Sequence, residues 1–396
     1  MPPGPVFVEL PIDVLYPFHV VQKELGGSKT PRGLRGKLVQ CSSLQSLGVP
    51  CYLGGAARGL LPPECPLLLR QNRRQALRDA DLVLLAGTVC DFRLSYGRLF
   101  GRGAAVVAVN RDRAQLLRNS DVFWKPRLAV QGDPGSFMVA LAQSLQGFSC
   151  PREWLERLRE AERDKEQQNQ AKAAVPPPCH LNPLALLQAL DQVLPPQSLL
   201  VADGGDFVAT AAYIVRPRRP TGLAGPRVPA GDTGDIRGRP QVWVLYGDGS
   251  LGFSLMEFDT FVRHKVPVIA LVGNDAGWTQ ISREQLPLLG SAVGCRLAFS
   301  DYHAVAAALG GRGFVLDAGG DTGDTGGDTG DTGDTGGDTG DTGGDTGGDT
   351  GGDPGDIGDR VVAVLRAAQA ECHRGHPVLV NALLGPSDFR EGSVSV

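Results

Sequence analysis

The residues best suited to chemistry lie between positions 241 and 280, in the stretch QVWVLYGDGSLGFSLMEFDTFVRHKVPVIALVGNDAGWTQ. Asp248 follows one apolar run and stands between two glycines, and Asn274 follows a second apolar run. A carboxylate, an amide oxygen and a backbone carbonyl suit Mg²⁺, which prefers hard oxygen ligands and often also takes substrate phosphates. Glycines that let the backbone approach a ligand, followed by a helix N-terminus, suit a diphosphate.

Two strands and a helix must position these side chains. The runs 242–246 and 266–272 are short and apolar, which predicts two buried strands. Between them, four apolar residues recur at helical spacing: Leu251, Leu255, Phe258 and Val262. A strand–helix–strand crossover brings both loops to one edge of a parallel sheet, so Asp248 and Asn274 are predicted to converge. The alternative is an ordinary Asp-Gly turn in a Rossmann-like sheet.

The glycine-flanked Asp248, followed by a helix, a strand and Asn274, resembles the cofactor motif of thiamine-diphosphate-dependent enzymes. This resemblance implies Mg²⁺ held by Asp248, Asn274 and the Ala276 carbonyl, bridging to the diphosphate of thiamine diphosphate. It also implies that an earlier loop, Asp203-Gly204-Gly205-Asp206, faces the cofactor. The expected cofactor-binding residues are Gly204, Asp206, Gly247, Asp248, Gly249, Ser250, Asn274 and Ala276.

Composition narrows the class of protein. With 396 residues, 42% hydrophobic residues and a net charge of −4, the chain has room for two or three globular domains. Its eight cysteines form no CxxC pair, which argues against zinc and against a disulfide framework. No apolar run reaches the length of a membrane span and no signal-peptide pattern opens the chain. All charged residues from Asp321 to Asp359 are aspartates, so the remainder is net positive and could attract CoA-type anions. We predict no nucleic-acid partner.

The predicted fold class is α/β, with two Rossmann-like parallel-sheet domains interrupted by a Gly-Asp-Thr repeat. The resemblance identifies residues 1–16 as a remnant of the pyrimidine-binding domain, the domain that supplies the catalytic glutamate. We therefore expect that glutamate to be missing, assign no catalytic residue, and expect this chain to be incomplete and inactive alone. The other expected segments are a linker (17–45), the central domain (46–148), a helical linker (149–180), the cofactor domain (181–319 and 359–392) and a disordered repeat (320–358). In some family members the central domain binds FAD or ADP. A second departure from the family is the Pro-, Gly- and Arg-rich stretch 216–240, which cannot form a packed helix.

The stretches GPVFVELPIDVLYP, LAGTVCDFRLSYG, NSDVFWKP and MEFDTFVRHKVPVIALVGNDAGWTQISREQ resemble the branch of this family that cleaves 2-hydroxyacyl-CoA thioesters. The resemblance implies a lyase that forms formyl-CoA and an aldehyde one carbon shorter, as in fatty acid α-oxidation. It also implies a homo-oligomer, dimer or tetramer, with the full-length protein at the endoplasmic reticulum membrane. Two alternatives stay open: ketoacid ligation of the acetolactate synthase type, and a non-catalytic chain that partners a complete subunit.

Overall fold

Two parallel β-sheets form the centre of the protein, whose computed structural model describes residues 7–10, 44–218, 240–319 and 354–391. The predicted α/β class with two parallel-sheet units is confirmed. The Gly-Asp-Thr repeat at 320–353 and most of the stretch 216–240 lie outside the described residues. In the part that is described, no helix is both long and apolar enough to cross a membrane.

The first sheet has six strands in the order β3-β2-β1-β4-β5-β6. Its strands are β1 (Phe7–Leu10), β2 (Cys51–Leu53), β3 (Leu68–Leu69), β4 (Leu82–Ala86), β5 (Ala105–Asn110) and β6 (Leu128–Gln131). Its helices include α1 (Arg73–Asp79), α2 (Arg113–Leu116) and α3 (Pro134–Ser144). The Asp112 and Asp133 carboxylates accept hydrogen bonds from the Gln115 and Ser136 amides, so they cap the N-termini of α2 and α3.

The second sheet has five strands in the order β10-β11-β9-β8-β7. Its strands are β7 (Leu199–Ala202), β8 (Val242–Gly247), β9 (Ile269–Asn274), β10 (Arg312–Leu316) and β11 (Val378–Leu383). Its helices are α5 (Pro183–Val193), α6 (Asp206–Ile214), α7 (Asp248–Leu251), α8 (Glu257–Arg263), α9 (Thr279–Leu289), α10 (Tyr302–Ala308) and α11 (Pro354–His373).

Both faces of the second sheet are covered, which explains why its central strands are continuously apolar. Along β8, Trp243 and Leu245 enter one core, and Val244 and Tyr246 enter the core on the opposite face. The long helix α4 (Arg152–Ala173) joins the two units, because Trp154 near its start packs in the core of the first sheet. Ala173 at its end packs in the core of the second.

The strand Phe7–Leu10 pairs on both sides inside the first sheet, which satisfies its backbone groups. Its assignment to a remnant of the pyrimidine-binding domain stays a prediction of the resemblance. Two other sequence expectations are corrected by the structure. The helix expected from Leu251 to Val262 is two short helices, α7 and α8, since turns intervene at 252–256. Residues 354–358, expected to be disordered, begin α11, where Pro354 suits a first helical turn.

We predict that Gly273→Ala destabilises the cofactor-side sheet by about 1–3 kcal/mol, because a Cβ at this position of β9 would lie 2.2 Å from the Phe207 ring of α6. Chemical denaturation measures the loss. Gly103→Ala is the matched control, since its Cβ would meet no atom within 4 Å. Equal stabilities of the two variants would contradict this packing, whereas partial rescue by Phe207→Leu would support it.

Candidate functional site

The strand register brings Asp248 and Asn274 together. Gly247 of β8 pairs with Gly273 of β9, and each of the two side chains follows its glycine by one residue. Because the strands are parallel and adjacent, both residues lie at the same carboxyl edge of the sheet, where ligands bind in open α/β sheets. The predicted convergence is therefore present in the structure.

The Asp248 carboxylate accepts hydrogen bonds from two loops. Its Oδ1 accepts a hydrogen bond of 2.9 Å from the Gly249 amide, and its Oδ2 accepts one of 2.9 Å from the Gly277 amide. The side chain is only 2% exposed. Burial raises the pKa of this carboxyl, and the two amides act in the opposite direction.

Asn274 is completely buried and faces the same turn. Its Oδ1 accepts a hydrogen bond of 3.2 Å from the Ala276 amide, which is next to the amide that binds Asp248. Its Nδ2 lies 3.2 Å from the Asn381 Oδ1, and the Nδ2 of Asn381 donates to the Ser300 carbonyl at 2.9 Å. This second amide, from β11, orients Asn274 so that its oxygen points to the 275–277 turn.

Ala276 occupies an unusual backbone conformation for a residue with a side chain, with φ of 52°. Its carbonyl accepts a hydrogen bond of 2.8 Å from the Leu297 amide. A carbonyl oxygen has two lone pairs, so this contact leaves one for the expected third metal ligand.

Glycines line the floor of the site, where two loops touch. The Gly204 carbonyl accepts hydrogen bonds from the Gly247 amide at 3.1 Å and from the Ser250 hydroxyl at 2.9 Å. Gly205 has a φ of 110°, and a Cβ there would lie 3.3 Å from the Gly247 Cα. A Cβ at Gly249 would lie 2.9 Å from the Trp278 ring. These close approaches exclude side chains and leave a backbone-lined cradle, defined here as residues 204–205 and 247–250.

The donors present fit Mg²⁺ and a diphosphate. In the described part of the chain no group of three His, Cys, Asp or Glu side chains is arranged to hold a metal ion. A cation here would therefore depend on the Asp248 carboxylate, the Asn274 amide oxygen and the Ala276 carbonyl. It would also offset the cost of burying a carboxylate away from water.

Asp275 is a site residue that the sequence analysis missed. Its pKa is raised to about 7, chiefly by burial, and the nearby Asp248 and Asp206 carboxylates contribute to the rise. Its position between Asn274 and Ala276 was the only available signal, and position alone does not reveal the distance to a carboxylate from another loop.

Asp206 lies at the first position of α6 and faces two arginines. Arg283 of α9 reaches it with Nε at 3.2 Å from Oδ1 and Nη2 at 3.3 Å from Oδ2. The Nε of Arg390 lies 3.8 Å from the same Oδ1. The role of Asp206 in lining the site stays a prediction, and the structure shows ion-pair contacts that the sequence did not reveal.

Away from this site, a cavity of about 420 Å³ lies between the first sheet and α6. Six arginines line it: Arg58, Arg70, Arg73, Arg74, Arg93 and Arg216. Two of them also bind the C-terminal carbonyls of α6, since Arg58 donates to the Ala212 carbonyl at 2.6 Å and Arg70 to the Tyr213 carbonyl at 2.7 Å. We call this the arginine cavity.

An apolar surface borders the site. None of the residues of α9 is buried, and its Leu288 is 82% exposed. In the turn after α7, Phe253 is 85% exposed and its ring lies 6.0 Å from the Trp278 ring. A helix with an apolar face normally packs against another element, so this surface indicates a partner.

Raising the pH from 4 to 7 is expected to destabilise the metal-free protein through Asp275. Its pKa is raised on folding from its usual value near 4, so its stabilising contribution is complete below that value and is lost as the pH approaches 7. Asp275→Asn should flatten this part of the pH profile. Chemical denaturation in a metal chelator measures it, with the exposed Asp259→Asn as control. Parallel profiles for wild type and Asp275→Asn would reject the assignment.

Comparisons with known proteins identify relatives of the chain. Residues 222–325 match the family described as thiamine pyrophosphate enzyme, C-terminal TPP binding domain. The 2-hydroxyacyl-CoA lyase 2 of Danio rerio is 43% identical over 100% of the chain and 70% of its own length. The human 2-hydroxyacyl-CoA lyase 2 is 44% identical over 100% and 68%. The alignments extend over 469 and 470 positions, so these relatives contain residues that the chain of 396 lacks.

More distant proteins share the architecture. The acetolactate synthase large subunit IlvG of Mycobacterium tuberculosis is 33% identical over 67% of the chain and 49% of its own length. Among solved structures, the thiamine diphosphate-dependent 4-hydroxybenzoylformate decarboxylase of Rhodococcus jostii RHA1 superposes with a TM-score of 0.62. It is 14% identical, and the match covers 97% of this chain and 62% of the decarboxylase, so it supports the fold alone.

Proposed function

This chain belongs to the 2-hydroxyacyl-CoA lyase 2 group of thiamine-diphosphate-dependent enzymes, and we propose that it takes part in cleaving 2-hydroxyacyl-CoA thioesters. The products would be formyl-CoA and an aldehyde one carbon shorter, the chemistry of fatty acid α-oxidation. The observation that carries the proposal is the convergence of Asp248 and Asn274 on one turn beside the glycine cradle.

Different residues of the site would bind the metal ion and the diphosphate of the cofactor. Asp248, Asn274 and the Ala276 carbonyl would hold Mg²⁺, and the cradle of residues 204–205 and 247–250 would admit the diphosphate close to the backbone. When bound, thiamine diphosphate supplies a nucleophilic carbon and a ring that stores the electrons released by carbon–carbon cleavage. The buried Asn381 keeps the Asn274 amide turned toward the metal position.

Ketoacid ligation of the acetolactate synthase type remains the second candidate. The lyase is favoured because its relatives match the whole chain at 43–44% identity, whereas the mycobacterial synthase matches 67% of it at 33%. The endoplasmic reticulum as the location of the full-length protein stays a prediction of the sequence resemblance.

The test is a binding and turnover assay on the full-length protein. We expect wild type to bind thiamine diphosphate in a Mg²⁺-dependent manner and to form formyl-CoA from a 2-hydroxyacyl-CoA. Asp248→Asn should weaken cofactor binding by about 100-fold, because it removes the only anionic ligand. Isothermal titration calorimetry measures the affinity.

Asp259→Asn, on the exposed face of α8, is the control and should bind like wild type. Undiminished affinity of Asp248→Asn would contradict the metal assignment. Product formation from 2-ketoacids but not from 2-hydroxyacyl-CoA would reject the lyase in favour of the synthase.

We also propose that the protein is a homo-oligomer in which a second copy covers α9. The support is the absence of any buried residue in α9, together with the exposed Phe253 beside Trp278. Because Trp278 packs on Gly249, this surface is continuous with the cradle, and a covering subunit would also shield the cofactor from water.

The arginine cavity supports a further proposal, that the first unit binds an adenosine diphosphate moiety, from ADP, FAD or the CoA of the substrate. Several of the six guanidinium groups already contact carbonyls or carboxylates, but each has five N–H donors, so the remaining donors suit a diphosphate. The Tyr52 and Phe92 rings in the lining suit a planar base. The Glu162 and Glu166 carboxylates limit the net charge of the cavity and so the number of phosphates that it favours.

Calorimetric titration with ADP, CoA and FAD tests this second site. We expect micromolar-range or weaker binding of at least one of them, and a loss of about tenfold in Arg74→Gln or Arg93→Gln, since each removes a charge-assisted hydrogen-bond donor. Arg263→Gln lies outside the cavity and serves as control. If no ligand binds, or if all three variants bind equally, the cavity is not a nucleotide site.

A further inference from the structure

Arg390 is the most unusual charged residue in the described chain. Its side chain is 1% exposed, although burying an arginine costs several kcal/mol unless it is paired. Its Nη2 lies 3.4 Å from the Gln280 Oε1, and its guanidinium lies 5.7 Å from the centre of the Tyr213 ring. Among the described residues, its Nε and Nη1 make no hydrogen bond. The Asp206 carboxylate is therefore its main electrostatic partner.

Asp206 is the ion-pair partner of two arginines. Arg283 approaches both of its oxygens, while the Arg283 Nη2 also donates to the Ser387 carbonyl at 2.7 Å. With one carboxylate and two guanidinium groups, these three residues carry a net charge of +1. We refer to Asp206, Arg283 and Arg390 as the Arg390 cluster.

The cluster joins the two helices that leave the cofactor loops. Asp206 begins α6 directly after the Gly204–Gly205 turn, and Arg283 lies on α9, which follows the 274–277 turn. Arg390 comes from the C-terminal segment 385–391. That segment is fixed elsewhere, since the Gly385 amide donates to the Leu181 carbonyl and Asp388 pairs with Lys172 at 2.8 Å.

The carboxylates around the cradle explain why Asp206 needs positively charged partners. Asp206 directly follows the Gly204–Gly205 turn and Asp248 directly follows Gly247, so the site is rich in carboxylates before any diphosphate arrives. A divalent cation would compensate Asp248, but it would leave Asp206 as a negative group beside the cradle. Arg283 and Arg390 supply that compensation from within the chain.

We infer that Arg390 is a positioning residue for the cofactor cradle. Acting through Asp206, it fixes the Gly204–Gly205 turn against Gly247 and, together with Arg283, turns a carboxylate that would repel a diphosphate into a cluster that tolerates it. The inference rests on the proposed function, because it assumes that the cradle receives thiamine diphosphate.

The experiment compares Arg390→Met, which keeps much of the side-chain volume, with Arg390→Lys, which keeps the charge. Thiamine diphosphate affinity at saturating Mg²⁺ is measured by quenching of tryptophan fluorescence, since Trp278 borders the cradle. The melting temperature without cofactor is measured in parallel. We expect Arg390→Met to weaken binding by about tenfold or more, equivalent to ~1.4 kcal/mol, and Arg390→Lys to restore part of the loss.

Lys172→Met removes an exposed ion pair on the same C-terminal segment and should leave the affinity within about twofold of wild type. A fall in melting temperature for Arg390→Met with unchanged affinity would overturn the inference, because a merely structural role predicts that result. A wild-type protein that binds no thiamine diphosphate would instead overturn the proposed function.

A second set of variants decides the matter if Arg390→Met does not fold. Asp206→Asn and Arg283→Met each break the cluster at a less buried residue. Arg283→Met should weaken thiamine diphosphate binding more, because Asp206→Asn also removes the negative group beside the cradle. In the double variant Asp206→Asn/Arg283→Met the loss should be smaller than the sum of the single losses, because both act through one contact. Additive losses, or none, would reject the cluster as a positioning device.

Discussion

The site depends on one carboxylate, that of Asp248, which accepts the Gly249 amide from its own loop and the Gly277 amide from the next. Strands β8 and β9 end at the same level, so a single acidic side chain can bind both turns only in this register. A slip of one residue would turn Asp248 to the other face of the sheet. The parallel pairing that buries Trp243, Leu245, Ile269 and Leu271 thus also aligns the polar atoms at its edge.

Side chains around the site stabilise this alignment of the two loops. Phe207 packs where a side chain at position 273 would stand, which holds α6 against the sheet, and Trp278 does the same at position 249. Asn381 reaches Asn274 from a third strand. Rigid backbone contacts leave few ways for the two loops to separate, and such preorganisation is the property that a tightly held cofactor requires.

Local pattern predicted the strands β8 and β9, the α/β class and the meeting of Asp248 with Asn274, because apolar runs and glycine turns encode these within some thirty residues of chain. It did not predict the partners of Phe7–Leu10, since strand pairing depends on distant residues. It also treated Leu251 to Val262 as one helix, because spacing records apolar period but not the turns that interrupt it. The roles of Arg390 and Asp275 were not predicted for a related reason. Burial and neighbouring charges depend on the folded structure, and the residue type alone does not indicate them.

Helix α6 begins at the cradle, and arginines of the first unit bind its C-terminal end. Its first residue follows the Gly204–Gly205 turn, while Arg58 and Arg70 bind its last carbonyls from the wall of the arginine cavity. Nine residues of α-helix measure about 14 Å, so a single helix spans the distance between the two regions. If a cavity ligand changes the cofactor affinity by some factor, thermodynamic linkage requires the cofactor to change the affinity of that ligand by the same factor.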